Sequence, residues 1–312
     1  MDLNTFLKIM KLGRFQFIAG GFLSFCIGAL LAILLNAEFN LSKFLLGYSI
    51  LFTAQLSVSY SNDYFDINVD RHSQSTGFSG GSGILLDNPQ LREFSKWFSI
   101  ALISISILLG SIFIIIFQFP WYFLLLVLFG NLLGWYYSAP PLKLAYRGLS
   151  EVSTVLTGFI VPGMGYIVLM GKLDLNFLFF AVPLMIYEFF FIINIEIPDM
   201  EADRLGGKKN IITKKGRAFG FTITILSAFL GTISILLLQI TKIYPTFVDF
   251  RLVALFSLIP LSIGMWSFLK KGDYKEKNSV LNLVKRNISS LFLFIILVNC
   301  YFIYLTFSHI IY

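Results

Sequence analysis

The chain has 312 residues, of which 57% are hydrophobic and only 13% charged, with a formal net charge of +7 and two cysteines. A water-soluble domain carries about 25% charged residues, so this composition excludes a soluble enzyme, and two cysteines exclude a disulfide-stapled secreted scaffold. The positive charge is spread over short loops between apolar runs, which excludes a nucleic-acid-binding surface and makes the lipid bilayer the expected surroundings.

Residues 1–14 lack the pattern of a cleaved signal peptide, and an apolar run long enough to span follows them directly. Nine such runs are read along the chain, at 15–36, 42–61, 95–117, 120–138, 152–171, 176–196, 218–240, 251–269 and 288–310, each near the ~20 residues needed to cross a bilayer. The expectation is an all-α polytopic membrane protein: one domain over 1–312, with nine transmembrane helices in a single bundle. Cys26 and Cys300 fall in apolar runs far apart in sequence and read as small hydrophobes.

Basic residues orient the bundle. Of the 24 lysines and arginines, all but Lys43, Lys172, Lys242 and Arg251 fall in the N-terminal segment and in the loops after even-numbered spans. The positive-inside rule then puts the N-terminus and these loops in the cytoplasm, and Tyr312 outside.

At the end of the second run stands Asn62-Asp63-Tyr64-Phe65-Asp66-Ile67-Asn68-Val69-Asp70. In a continuous helix Asp63, Asp66 and Asp70 share one face, and Asn62 reaches the same face as Asp66. A second cluster, Glu196-Ile197-Pro198-Asp199-Met200-Glu201-Ala202-Asp203, ends the sixth run, with Asp199 and Asp203 one helical turn apart. These two stretches hold seven of the 17 acidic residues, and the topology puts both on the cytoplasmic side. Carboxylates at helix C-terminal ends oppose the helix dipole, so a cation is expected to offset them. Oxygen-only ligands suit Mg²⁺.

Polar residues within the spans form stripes: Gln55, Ser59, Asn62 and Asp66 on the second, and Asn131, Trp135 and Ser138 on the fourth. Helix–helix hydrogen bonding accounts for Ser59, Asn131 and Ser138. Glu188, inside the sixth span, calls for a cavity or a buried partner. His72 and His309, the only histidines, read as a loop residue and an interface residue.

The chemistry these clusters suit is a Mg²⁺-diphosphate site, with Asn62, Asp63, Asp66, Asp70, Asp199 and Asp203 as ligands. The metal would stabilise negative charge developing on a leaving diphosphate. Lys143 heads the basic candidates for the diphosphate oxygens, because it follows the stiff turn Ser138-Ala139-Pro140-Pro141; Arg14, Arg71 and Lys208 are further candidates. A diphosphate whose tail lives in lipid, a polyprenyl diphosphate, fits both the acidic ends and the apolar body. Tyr64, Trp135 and Tyr137 could face the allylic cation left when diphosphate departs. The glycine-rich stretch from Thr76 to Gly83 could present backbone N–H groups to phosphate or be a plain flexible loop.

At these residues the chain resembles the UbiA superfamily of intramembrane prenyltransferases. The resemblance rests on Asn62, Asp63, Asp66 and Asp70, on Asp199 and Asp203, and on Tyr137-Ser138-Ala139-Pro140-Pro141-Leu142-Lys143 after the fourth span. It implies Mg²⁺-dependent transfer of an isoprenoid chain to an acceptor, with Asp66, Asp70, Asp199 and Asp203 catalytic. Ile197-Pro198-Asp199-Met200-Glu201-Ala202-Asp203-Arg204 leading into Gly207-Lys208-Lys209, together with Phe78-Ser79-Gly80-Gly81-Ser82-Gly83, is most similar to the dihydroxynaphthoate prenyltransferases of menaquinone synthesis. Other acceptors stay open: a glycerol-phosphate lipid, a 4-hydroxybenzoate ring or haem. The alternative from another class is a cation-coupled transporter, whose acidic groups more usually sit near mid-membrane.

Overall fold

The computed structural model describes residues 3–73 and 80–309; Gln74–Ser79, and with them the first part of the glycine-rich stretch, lie outside the described residues. Those described form thirteen α-helices and no strand: α1 (Leu3–Leu12), α2 (Phe15–Leu34), α3 (Leu41–Phe65), α4 (Ile67–Asp70), α5 (Ile84–Asp87), α6 (Arg92–Phe117), α7 (Tyr122–Ser138), α8 (Ser150–Met170), α9 (Leu175–Gly206), α10 (Ile211–Lys215), α11 (Arg217–Thr241), α12 (Phe250–Leu269) and α13 (Lys277–His309). A helix satisfies each backbone N–H and C=O within its own segment, as a lone apolar run in lipid requires.

Eight helices are long and apolar enough to cross a membrane, and α7 is a shorter apolar helix of 17 residues. At 1.5 Å per residue α7 is roughly 26 Å long, a little short of a hydrocarbon core of about 30 Å. The nine expected runs thus correspond to eight spans and this shorter helix. Several helices outrun their apolar stretch. Helix α3 continues to Phe65, α9 passes through Pro198 to Gly206, and α13 begins already at Lys277, so polar segments read as loops are helical extensions.

The chain divides into two compact units interleaved in sequence. The first comprises Met1–Phe22, Leu45–Ser153 and Asp199–Lys214. Its helices are joined by hydroxyls aimed at carbonyls. Ser95, Ser99 and Ser106 lie along one face of α6 and donate to the carbonyls of Tyr60, Ser57 and Ile50 on α3, at 2.9, 2.9 and 3.0 Å. Asn131 of α7 donates to Ser106 Oγ at 3.0 Å, the helix–helix bond its position in a span called for. Helix α1 was not foreseen. Leu3, Phe6, Leu7 and Met10 keep helical spacing and stay exposed, while Lys8 reaches Asn88 and the Tyr60 hydroxyl donates to the Ile9 carbonyl. An apolar exposed stripe beside lysines is the pattern of a helix lying in the bilayer interface.

The second unit comprises Leu23–Phe44, Thr154–Pro198 and Lys215–Tyr312. Helices α2 and α8 meet backbone to backbone in it, through Gly28 against Pro162 and Gly165 against Phe25; only glycine allows so close an approach. Four of its helices share one chain of fully buried polar groups. Thr224 (α11), Asn194 (α9), Asn287 (α13) and Ser267 (α12) are linked in that order by bonds of 3.2, 2.8 and 2.9 Å. A cavity of about 40 Å³ lies in this unit, lined by Ser24, Gly158, Leu184, Phe294 and Val298 and by Glu188. The cavity that Glu188 calls for is therefore present in this unit.

Candidate active site

The first unit brings the two acidic clusters together. Helix α3 stops at Phe65 and α4 starts at Ile67; Asp66 stands between them with φ −92° and ψ 9°. The continuous helix expected over 62–70 is therefore broken at Asp66. The ladder is still held on both sides, by Asp66 N to Asn62 O at 2.8 Å and Asp70 N to Asp66 O at 3.0 Å. Donors from remote segments hold the carboxylate at the break. Ser138 Oγ, at the end of α7, donates to Oδ2 at 2.9 Å, and the Tyr146 hydroxyl donates to Oδ1 at 2.9 Å. Ser138 thus serves the acidic cluster rather than a neighbouring helix backbone.

Asp203, in the last turn of α9, comes to the same place. Lys208 Nζ lies 2.9 Å from Asp66 Oδ2 and 3.7 Å from Asp203 Oδ1. Asn210 Nδ2 donates to Asp203 Oδ2 at 2.7 Å, and Asn210 Oδ1 accepts from Thr213 N at 2.7 Å. The end of α9 packs directly on α4, because Gly206 offers no Cβ to strike Val69.

The other carboxylates meet the loop after α4. Asp63 accepts from the hydroxyl and the backbone N–H of Ser82. Asp199 accepts from Gly80 N at 2.9 Å and from Ser73 Oγ at 3.4 Å. Gly81, with φ +62°, lies against the Asp70 carboxylate, where a Cβ could not fit. The described part of the glycine-rich stretch therefore turns its N–H groups toward carboxylates. Asp63, Asp66, Asp70 and Asp203 are all buried, and no three acidic, histidine or cysteine side chains among the described residues converge as a ready metal cage.

The electrostatics are those of buried, crowded carboxylates. Asp70 is pushed up to about 7, first by burial and then by the nearby charges of Asp63 and Asp66, with Lys208 and Arg14 pulling the other way. Burial works against the charge on Lys208, but Asp66 and Asp203 outweigh it and hold the ammonium well above its ordinary value. Tyr146 is likewise raised by burial and by Asp66. Asn62 Oδ1 is buried with no hydrogen-bond partner among the described residues.

The basic and aromatic candidates divide by position. Lys208 touches both clusters, and Arg14 acts on Asp63 and Asp70 while stacking on Phe17 at 4.6 Å. Lys143 is exposed, with its Nζ 5.3 Å from the Tyr146 ring, and Arg71 is exposed. The Tyr64 ring faces Arg92 and Lys96, at 5.0 and 5.6 Å. Trp135 packs edge-on with Phe65 at 5.3 Å, and Tyr137 lies near enough to Lys208 to act on its charge. Tyr146 and Asn210 went unnoticed in the sequence. The sole cue was their place in short polar loops, Tyr146 just after Lys143 and Asn210 just after the second acidic cluster.

Comparison with known proteins gives the fold and the family. The chain is 23% identical over 188 residues to the 1,4-dihydroxy-2-naphthoate octaprenyltransferase of Bacillus subtilis (strain 168), a match covering 60% of this chain and 59% of that protein, less than two thirds of its length. Its fold is shared with a UbiA homolog from Archaeoglobus fulgidus bound to GPP and Mg²⁺, at a TM-score of 0.63 and 13% identity, over 93% of this chain and 99% of that one. A structure of digeranylgeranylglyceryl phosphate synthase matches at a TM-score of 0.63 and 19% identity, over 96% and 100% of the two chains. A profile of the UbiA prenyltransferase family matches residues 22–295, most of the sequence, and the chain belongs to that family.

Proposed function

We propose that this protein is a Mg²⁺-dependent intramembrane prenyltransferase, one domain over 1–312, that moves a polyprenyl group from its diphosphate to an aromatic, dihydroxynaphthoate-like acceptor. The observation that carries the reading is the meeting of Asp66 and Asp203 at Lys208, since it brings both acidic motifs to one place. The residues suit a hard divalent cation: every candidate ligand offers oxygen, Asn62 Oδ1 is buried without a partner among the described residues, and Asp70 is raised first by burial and then by the neighbouring charges of Asp63 and Asp66. Asn62, Asp63, Asp66, Asp70, Asp199 and Asp203 would hold it. When bound, the metal supplies neutralisation of charge developing on the leaving diphosphate.

The remaining chemistry falls to the chain. Ser138 and Tyr146 fix the Asp66 carboxylate, and Asn210 fixes Asp203. Lys208, with Arg14, Lys143 and Arg71, takes the diphosphate oxygens. The bond between the prenyl carbon and diphosphate oxygen breaks with its electron pair on oxygen. A ring carbon of the acceptor supplies the pair for the new C–C bond, and the ring then loses CO₂ from a carboxylated position, or H⁺ otherwise. Trp135 and Tyr137 would present ring faces to the allylic cation, whereas Tyr64 already faces two side-chain cations. The distribution of lysine and arginine supports a site facing the cytoplasm, with the N-terminus inside and the C-terminus outside.

The full-length likeness to digeranylgeranylglyceryl phosphate synthase favours a second acceptor, a glycerol-phosphate lipid. The test is purified protein with labelled geranylgeranyl diphosphate and a panel holding dihydroxynaphthoate, 4-hydroxybenzoate and a glyceryl phosphate lipid, read by product mass. A prenylated naphthoquinol is expected. A prenylated lipid would replace the acceptor only, and no prenyl product with any acceptor would overturn the whole reading.

A further inference from the structure

Lys208 stands where a bound cation is expected. Its side chain is 16% exposed, between carboxylates at 8% and 7%, and its single ammonium joins the first acidic motif to the second. The neighbouring oxygens are committed. Asp66 Oδ1 accepts from Tyr146, Asp66 Oδ2 accepts from Ser138 as well as Lys208, and Asp203 Oδ2 accepts from Asn210. A carboxylate oxygen has about two lone-pair sites, so Asp66 Oδ2 is full while Lys208 holds it. A divalent ion cannot take Asp66 and Asp203 together without moving this ammonium.

The backbone around Lys208 is pinned on both sides. Its own N–H bonds the Asp203 carbonyl at 2.9 Å, and Lys209 N bonds the Ala145 carbonyl at 3.3 Å. Beyond them, buried Glu151 accepts from Ile211 N, and Asn210 caps α10 through Thr213 N. Release of the carboxylates therefore needs only rotation of the four-carbon lysine stem, with the loop left in place.

We propose that Lys208 is a built-in stand-in for the divalent cation: it bridges Asp66 and Asp203 until a metal ion displaces it, and the displaced ammonium then turns to the diphosphate. This rests on the reading of the carboxylates as metal ligands. Metal alone must compete with a resident charge and binds weakly. Metal arriving with a diphosphate binds well, because the phosphate oxygens receive the lysine that the carboxylates give up.

The experiment measures Mn²⁺ binding to the full chain in detergent, by the loss of the free-ion paramagnetic resonance signal, with and without inorganic pyrophosphate. Lys208→Met, which keeps the stem and removes the charge, is expected to bind Mn²⁺ alone roughly tenfold more tightly than the native protein. Its gain on adding pyrophosphate should shrink. Equal or weaker binding by Lys208→Met overturns the proposal and leaves Lys208 a diphosphate ligand only. Should that variant not fold, amine acetylation of the native protein decides. Labelling of Lys208, read by mass spectrometry, should rise when Mn²⁺ is added without pyrophosphate, and unchanged labelling overturns the proposal. Absence of Mn²⁺ binding by native protein and variant alike, even with pyrophosphate, removes the metal site itself, a result distinguishable from the others.

Discussion

Replacing Gly165 by alanine tests how the second unit is held together. Gly165 of α8 faces the backbone of α2, and a Cβ there would overlap the Phe25 carbonyl oxygen, lying 2.9 Å from its carbon and 3.0 Å from Ala29 N. These are backbone atoms and cannot rotate away. Ordinary carbon contacts are about 3.5–4.0 Å, so the two helices must part by roughly 1 Å, enough to forfeit a quarter to a half of the dispersion energy along the crossing. Overpacking of this kind costs about 1–3 kcal/mol, partly offset by up to ~1 kcal/mol from the better helix propensity of alanine. Gly264 of α12 is the control. It is equally buried, but the nearest atom to its added Cβ is 3.8 Å away. Gly264→Ala should therefore be neutral or stabilising by up to ~1 kcal/mol, while Gly165→Ala is destabilising. Equilibrium unfolding in mixed detergent micelles reads both. Gly165→Ala as stable as the native chain would show that the close crossing of α2 and α8 is wrong.

Tyr146→Phe removes one hydroxyl from Asp66 and should lower turnover by about 10- to 100-fold, the usual scale for an outer partner of a metal ligand. The check is steady-state prenyl transfer alongside a melting curve that stays within a few degrees of native. Asp199→Ala should abolish transfer while the protein stays folded, and EDTA should stop the native enzyme until Mg²⁺ is restored; full activity in either case excludes the assigned ligands. Asp70 predicts a pH dependence with a definite sign. Its folded value, about 7, lies above the ordinary 3.8, so the folded state binds the proton more tightly and this group's contribution to stability is lost as pH rises through that window. In EDTA, the native protein should therefore gain stability over Asp70→Asn as pH falls from 8 to 5. Parallel curves for the two proteins would discount Asp70 as the source.

The sequence made the spans and the acidic motifs readable because both depend on local pattern. Twenty-residue apolar runs need no partner to be recognised, and three aspartates within eight residues demand a counter-charge wherever they lie. The break at Asp66 was not readable, and the donors that hold the carboxylate there are remote: Ser138 is 72 positions away and Tyr146 is 80. Ser138 read as a helix-packing hydroxyl because nothing in its own stretch points to Asp66. Lys208 reads only as a further candidate behind Lys143, because the positive-inside rule explains each basic loop residue equally well. Only its contact with Asp66 and Asp203 separates it from Lys209, which is exposed. Helix α1 was passed over for a different reason: its apolar stripe is too short and too interrupted by lysine to register as a span.

The line of buried groups through Thr224, Asn194, Asn287 and Ser267 has a consequence for how this bundle tolerates change. Between apolar helices in lipid there is no water to squeeze out, so little prevents one helix from rolling against the next. Amides can be satisfied in few orientations, and Asn194 and Asn287 each meet partners on two sides. They act as pins that lock the rotational setting of four rods at once. Removing a single pin strands its neighbours, so a drifting chain could abandon this arrangement only by exchanging several of the four positions together.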